Sequence, residues 1–428
     1  MNPVPDPQEL VSIDAEPGGG APGTSHDPYG ALRFGAYRKY ALGGLLANIG
    51  SNMQSVAIGW ELYERTGSAM ALGWVGLVQA LPIVLLALPA GHVADRLDRK
   101  RIVAVGQVVA ALCSIGLAIL SMLRGPVSLV YGCLALGAVA RAFSWPAGAA
   151  LLPLLVPKEQ FSNAVTWRST CVQIASVAGP ALGGLLIAQN QNCATVYFAT
   201  AGLVLANAAL VSTIASRAQV RAHETVHWKS LLAGIGFVWR TKVILAAITL
   251  DMFGVLLGGA TALLPIYAKD ILHVGPSGLG WLRAAPSFGA LVMGVSLAHL
   301  PPLRSAGKAL LGAVAGFGAV TIVFGLSPWF WLSLGMLALS GALDSISVII
   351  RHSLVQLRTP DSMRGRVSAV NTVFISCSNE LGEFESGTVA AFFGPVFSVV
   401  SGGVGTLLVV ALVARNWPEI RALRTLRE

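Results

Sequence analysis

The feature that most limits what this chain can become is a series of apolar runs of about twenty residues, separated by short polar turns. A helix of that length is about 30 Å long, enough to cross the hydrocarbon of a bilayer. In hydrocarbon every backbone N–H and C=O must be paired within its own segment, so such runs fold as helices. Twelve spans are readable, at 38–62, 70–93, 101–123, 127–155, 164–189, 193–215, 243–268, 278–299, 307–327, 329–352, 366–391 and 394–414. Composition agrees: 54% of residues are hydrophobic and 11% charged, with mean hydropathy +0.69. A soluble domain carries about a quarter charged residues. The chain reads as an all-α, multi-pass membrane protein.

The net charge of +9 raises the possibility of nucleic acid binding, but its placement excludes that. Lys and Arg gather in every second loop, at Arg96, Arg99, Lys100 and Arg101, at Lys158, at Arg217, Arg221 and Lys229, at Arg304 and Lys308, and at Arg358, Arg364 and Arg366. The intervening loops hold little beyond Arg65, Arg124 and Lys269. This is the positive-inside pattern of a membrane protein with both termini in the cytoplasm. Residues 1–32, rich in Pro, Gly and Asp, read as a disordered cytoplasmic tail without a signal peptide. The basic stretch 216–242 contains "WKSLLAGIGFVWR", an expected amphipathic helix on the inner surface, and 415–428 is a second cytoplasmic tail. The five cysteines have neither zinc-site nor disulfide spacing and read as packing residues, so no metal is expected.

The two halves, 33–215 and 243–414, resemble one another weakly. At an offset of 203 residues Pro157 meets Pro360, Gly179 meets Gly382, Gly184 meets Gly387, Asn48 meets Asp251 and Arg141 meets Asp344. "LGW" recurs at 72–74 and 279–281. Twelve transmembrane helices in two pseudo-symmetric six-helix bundles, with a substrate site between them, are the expected architecture of such a duplication.

The sharpest motif is "GHVADRLDRKR", Gly91 to Arg101, at the inner end of the second span. It resembles the Major Facilitator Superfamily signature G-x-x-x-D-R-x-G-R-[KR], matched by Gly91, Asp95, Arg96, Arg99 and Lys100. Asp98 replaces the second glycine, so the loop must turn without a free positive-φ position. Asp95 is placed to face a helix N-terminus across the half–half interface, where exposed N–H groups favour an acid. The resemblance makes that partner the start of the eleventh span, "RGRV" at 364–367, forming a latch that closes the inner side; the alternative is a solvated cluster that only sets topology. "GPALGG" in the fifth span resembles the exporter-associated G-P-x-x-G-G motif: Gly179, Gly183 and Gly184 allow close helix packing and Pro180 a bend. Ala175 stands where the full motif has a further glycine, and ordinary small-residue packing remains the rival explanation.

"SNELGEFESG", residues 378–387, puts three carboxylates into an apolar span. At helical spacing Ser376, Asn379, Glu380, Glu383 and Gly387 share a face, and Glu385 points elsewhere. Glu380 lies about 21 Å along the helix from Arg366, at or just beyond the bilayer midplane. Such a stripe must face water or a cation, and two carboxylates one turn apart resist ionising together. They are candidate proton carriers; a static hydrogen-bond network is the alternative. Asp251 in the seventh span and Asp344 in the tenth are further membrane acids, and Arg141 in the fourth is their candidate countercharge. Asn48, Asn52 and Ser55 form an uncharged polar stripe on the first span and, with Asn379, are candidate substrate contacts.

"ADRLDRKRIV", "WKSLLAGIGFVWR", "GLGWLRAAPSFGALV" and "RGRVSAVNTVF" run in the same order as in the enterobactin-exporter-like branch of the Major Facilitator Superfamily, which includes macrolide-efflux relatives. The likeness covers roughly 33–415 and implies alternating access and export of a siderophore- or drug-like molecule in exchange for protons across a bacterial cytoplasmic (inner) membrane; a monomer is expected. The acidic "SNELGEFESG" departs from the enterobactin exporter, and the first span lacks the acid of many drug–proton antiporters. Coupling is then expected through the seventh, tenth or eleventh span. No cofactor is expected, since no G-x-x-x-x-G-K-[ST] nucleotide loop occurs. Nor is an enzyme: "GALD" lacks the second glycine of an intramembrane aspartyl protease, and "GPSG" at 275–278 reads as a turn. An uncoupled facilitator and a non-transporting receptor are the rival functions.

Overall fold

The computed structural model describes residues 27–215, 236–258, 260–299 and 305–423. Most of the basic stretch expected as an amphipathic surface helix lies outside them. The helices are α1 (Gly35–Thr66), α2 (Ala69–Arg96), α3 (Arg99–Met122), α4 (Val127–Leu151), α5 (Phe161–Asn190), α6 (Ala194–Ser212), α7 (Lys242–Leu257), α8 (Gly275–His299), α9 (Ala306–Leu326), α10 (Phe330–Arg358), α11 (Asp361–Phe393), α12 (Pro395–Asn416) and the short α13 (Pro418–Ala422). Turn chemistry sets their ends. Gly67 closes α1 with φ 60° and donates its N–H to the Tyr63 carbonyl at 2.9 Å. Past α7 the chain runs irregularly from Ala260 to Ile271 through 3-10 and π turns.

Among the described residues ten helices are long and apolar enough to cross a membrane. The two other long helices, α1 and α11, are too polar by that measure, for a reason the site makes plain.

Packing repeats with an offset of six helices. Helix α1 packs on α5 and α6, α3 on α4 and α6, and α2 on α4; in the same way α7 packs on α11 and α12, α9 on α10 and α12, and α8 on α10. The two groups meet chiefly through α2 with α11 and α5 with α8, a pairing that maps onto itself under the same exchange.

One boundary differs from the sequence expectation. The disordered tail was placed at 1–32, yet residues 27–34 are fixed against α5. Asn163 accepts the Ala31 N–H at 3.0 Å, and Asn163 and Trp167 donate to the Pro28 carbonyl at 2.8 and 2.9 Å. Polar side chains on the first turns of α5 supply what local composition lacks.

Candidate transport cavity

The two helix groups are joined at one end, the end of the α1–α2 turn. Gly184 of α5 meets Gly280 of α8 so closely that a Cβ on Gly184 would lie 2.9 Å from the Gly280 Cα. Gly387 of α11 meets Gly73 of α2 in the same manner, at 2.5 Å. Trp74 packs edge-on against Phe384 at 5.6 Å, the Tyr63 hydroxyl donates to Asp270, and the Lys269 ammonium lies 5.7 Å from the Tyr63 ring. Small residues and one polar cluster thus seal this end.

Below the seal lies a cavity of about 640 Å³. Its wall on α1 runs from Tyr40 to Gly59, a length of about 28 Å. Asn48, Ser51 and Ser55 line it from α1, Gln79 from α2, Arg141 from α4 and Arg168 from α5. The other group contributes Arg283 of α8 with Glu380 and Glu383 of α11. The polar side chains that α1 (Asn48, Ser51, Gln54, Ser55) and α11 (Glu380, Glu383) give to this wall are part of why these two helices fall short as apolar spans.

Arg283 donates to the Ser55 hydroxyl at 2.7 Å across the joint, and Arg141 donates to Gln79 at 2.6 Å. Both cations lie within electrostatic reach of Glu380 and Glu383. Yet among the described residues neither carboxylate is in an ion pair. Both carboxylates thus border the cavity without an ion-pair partner among those residues.

The remaining site residues are divided by the structure. Asp251 and Asp344 do not line this cavity. They flank a crevice of about 20 Å³ between α7, α9 and α10, room for about one water. Asp251 is paired there with Arg351, and both side chains are buried, 7% and 2% exposed. Arg141 is thus not the countercharge of Asp251. In the expected tenth span, 329–352, Arg351 stands next to the end; α10 continues to Arg358 and carries that arginine inside the packed helix. Asn52 is turned from the cavity towards α5, with its Cβ against Gly179, and its amide donates to the Asn48 carbonyl at 2.9 Å. The α1 wall is centred one residue earlier, on Ser51. Asn379 is exposed and donates to the Ile375 carbonyl at 3.0 Å; Glu385 accepts from the Ser386 hydroxyl at 3.3 Å. Neither is among the cavity-lining residues.

The two glycine motifs resolve into separate tasks. Gly179 and Gly183 seat α5 on α1 within one helix group, whereas Gly184 and the Pro180 carbonyl meet Gly280 of the other group. In "GHVADRLDRKR" Asp98 needs no positive φ. It is the N-cap of α3, with φ −61°, and accepts the Lys100 N–H at 3.0 Å. Arg99 donates to the Ala150 carbonyl at 3.0 Å and Lys100 to the Ile214 carbonyl at 2.6 Å, tying α3 to neighbours within its own group. Arg96 is exposed and Gly91 faces open space. The side chains of Asp95, Arg364 and Arg366, on which the latch depends, lie outside the described residues, as does that of Ser376. Arg168, Arg283, Arg351 and the Tyr63–Asp270 pair were not foreseen from the sequence. An arginine inside an apolar span was signal enough for Arg283.

The profile of the transmembrane secretion effectors matches residues 26–424, nearly the whole chain. The chain belongs to that family, within the Major Facilitator Superfamily. This secretion effector is 26% identical over 391 residues to the multidrug efflux pump Tap of Mycolicibacterium fortuitum, covering 89% of this chain and 95% of the relative. It is 26% identical over 397 residues to the enterobactin exporter EntS of Escherichia coli O1:K1 / APEC, covering 91% and 93%. Its fold is that of a solved bacterial homolog of the human lysosomal transporter Spinster in an inward-facing, occupied conformation, with TM-score 0.72 and 14% identity over 92% of this chain and 99% of that one. A bacterial homologue of the iron transporter ferroportin in the inward-facing state gives TM-score 0.68 and 18% identity, over 90% and 99%. The protein is thus a multi-pass membrane efflux transporter with a small-molecule substrate.

Proposed function

We propose that this transporter exports its substrate across the bacterial cytoplasmic membrane by alternating access, as a monomer, exchanging it for protons carried on Glu380 and Glu383. The observation that carries the reading is the placement of these carboxylates, unpaired, in the cavity wall contributed by α11. Helices α1 and α11 span the bilayer with the rest, with Asn48, Ser51, Ser55, Glu380 and Glu383 turned to the cavity. The basic loops support an orientation with both termini in the cytoplasm. The sealed end is then the outer one, and the cavity opens inward. Substrate enters from the cytoplasm and displaces protons from the two acids. Rocking of the groups breaks the glycine joints outside and brings Asp95 of α2 to the start of α11 inside. External protons then re-occupy Glu380 and Glu383 and release the substrate.

Asp251 has no place in this cycle as a carrier. Its pairing with Arg351 supports a structural role in the second helix group.

The test is flux from proteoliposomes loaded with candidate siderophores and drugs, with and without an imposed pH gradient. The reading predicts gradient-driven transport that Glu380→Gln/Glu383→Gln abolishes in a folded protein. Equal flux without the gradient makes the protein a facilitator and removes the acids from the mechanism.

A further inference from the structure

The cavity's charges run further than the coupling reading, and say what kind of molecule fits. Three arginines line it, Arg141, Arg168 and Arg283, against two carboxylates, Glu380 and Glu383. The other titratable groups on the wall, Tyr40, Cys113, Cys133 and Cys171, are neutral at ordinary pH. Among the described residues none of the three arginines is in an ion pair. Arg141 spends one nitrogen on Gln79 and Arg283 one on Ser55, which leaves the rest of each guanidinium fork free to face a ligand.

We propose that the transported molecule is amphoteric: an anionic group is received by Arg141 and Arg283, and an amino or other cationic group by Glu380 and Glu383. The inference rests on the proton-exchange reading and narrows it. Exchange requires that solute and proton exclude one another at the same carboxylates. A purely anionic solute fails this condition. Protonating the two acids makes the cavity more positive, so an anion would be held more tightly and would move with protons, not against them. A purely cationic solute competes with protons at the two acids but brings no anionic group for the three arginines that share the wall, and is repelled by them. A solute with both charges satisfies the arginines in either protonation state and is displaced only from the acids.

On the rest of the wall amides and hydroxyls such as Asn48, Gln54, Gln107 and Ser114 alternate with aliphatic side chains, and its aromatic side chains are Tyr40 and Trp145. A lipophilic cation would find few ring faces to lie on. The volume of about 640 Å³ suits a drug-sized ligand with most of its surface enclosed.

The experiment uses the purified full chain in detergent and a panel of water-soluble compounds of about 250–500 Da, divided equally among zwitterions, anions, cations and neutral molecules. Binding is read by thermal shift and then by calorimetry. Each zwitterion that binds is retested as its N-acetyl derivative and as its methyl ester. The expected result is that binders concentrate among zwitterions, and that either modification weakens binding about tenfold or more, the loss of one charge-assisted contact. Arg283→Gln should erase the penalty for esterification, and Glu383→Gln that for acetylation; should Arg283→Gln fail to fold, Arg141→Gln serves instead. Binders concentrated among anions, lipophilic cations or neutral compounds overturn the proposal, as does the lack of any zwitterionic binder. The outcome is separable from the coupling itself. Cations that bind and move against a proton gradient leave exchange standing and sink the amphoteric class. Zwitterions that bind but move independently of the gradient do the reverse.

Discussion

Adding a single methyl group at the glycine joints should tip the transporter out of the state described here. A Cβ on Gly184 would lie 2.5 Å from the Pro276 carbonyl oxygen and 2.9 Å from the Gly280 Cα. One on Gly387 would lie 2.5 Å from the Gly73 Cα and 3.0 Å from the Ala69 carbonyl oxygen. Carbon contacts are comfortable at about 3.5–4.0 Å, so each joint must open by about 1 Å, and the obstructing atoms are backbone that cannot rotate away. Overpacking of this kind costs about 1–3 kcal/mol per site. The cost falls only on the state in which the two helix groups touch at this end. Each substitution should therefore move the equilibrium towards the opposite state by about 5- to 150-fold, and the two sites, on separate joints, should add. The assay is a spin-label distance measurement between Thr66→Cys and Phe392→Cys in a background with the native cysteines replaced. Gly184→Ala/Gly387→Ala should show a new, longer distance population. Gly335→Ala, where a Cβ meets nothing within 4 Å, should not. A double variant that folds and keeps the parent's distance distribution would refute the claim that these joints hold the end shut.

Three further outcomes follow from the same geometry. Asp251→Asn should lower stability in detergent by about 3–5 kcal/mol, because it leaves Arg351 buried without a countercharge, and Asp251→Asn/Arg351→Met should recover most of it in a thermal-melt cycle. Asp98→Ala should cost about 0.5–2 kcal/mol through loss of the α3 cap, and Asp98→Gly, which restores the superfamily's glycine, only a few tenths, by the same melts. Tyr63→Phe removes the hydroxyl given to Asp270 and should weaken the sealed end by about 1–3 kcal/mol; the readout is faster labelling of a cysteine at Ser55 from the sealed side.

The helical content and the repeat were legible because both are local or periodic. A run of twenty apolar residues declares its length, and a duplicated chain keeps its spacing. The orientation of Glu380 and Glu383 was legible for the same reason, since i and i+3 on a helix share a face. What the sequence did not carry was partnership. Asp251 and Arg351 are a hundred residues apart, and their meeting depends on how α7 packs against α10. On α1, Asn48 and Ser55 line the cavity as expected, whereas Ser51 takes the place expected for Asn52, whose Cβ lies against Gly179. The substitution of aspartate for glycine at 98 reads as a departure from a motif, whereas in the fold it is a cap that makes the glycine unnecessary.

The central claim is that solute and protons compete for Glu380 and Glu383, and proton release on binding tests it most directly. Purified protein in weakly buffered detergent, with a pH-indicating dye, is mixed with a substrate identified in the flux assay. The account predicts that protons appear in solution as the substrate binds, and that the release disappears in Glu380→Gln/Glu383→Gln at substrate concentrations that still saturate it. Saturating binding with no proton released, or the same release from the double variant, would contradict it.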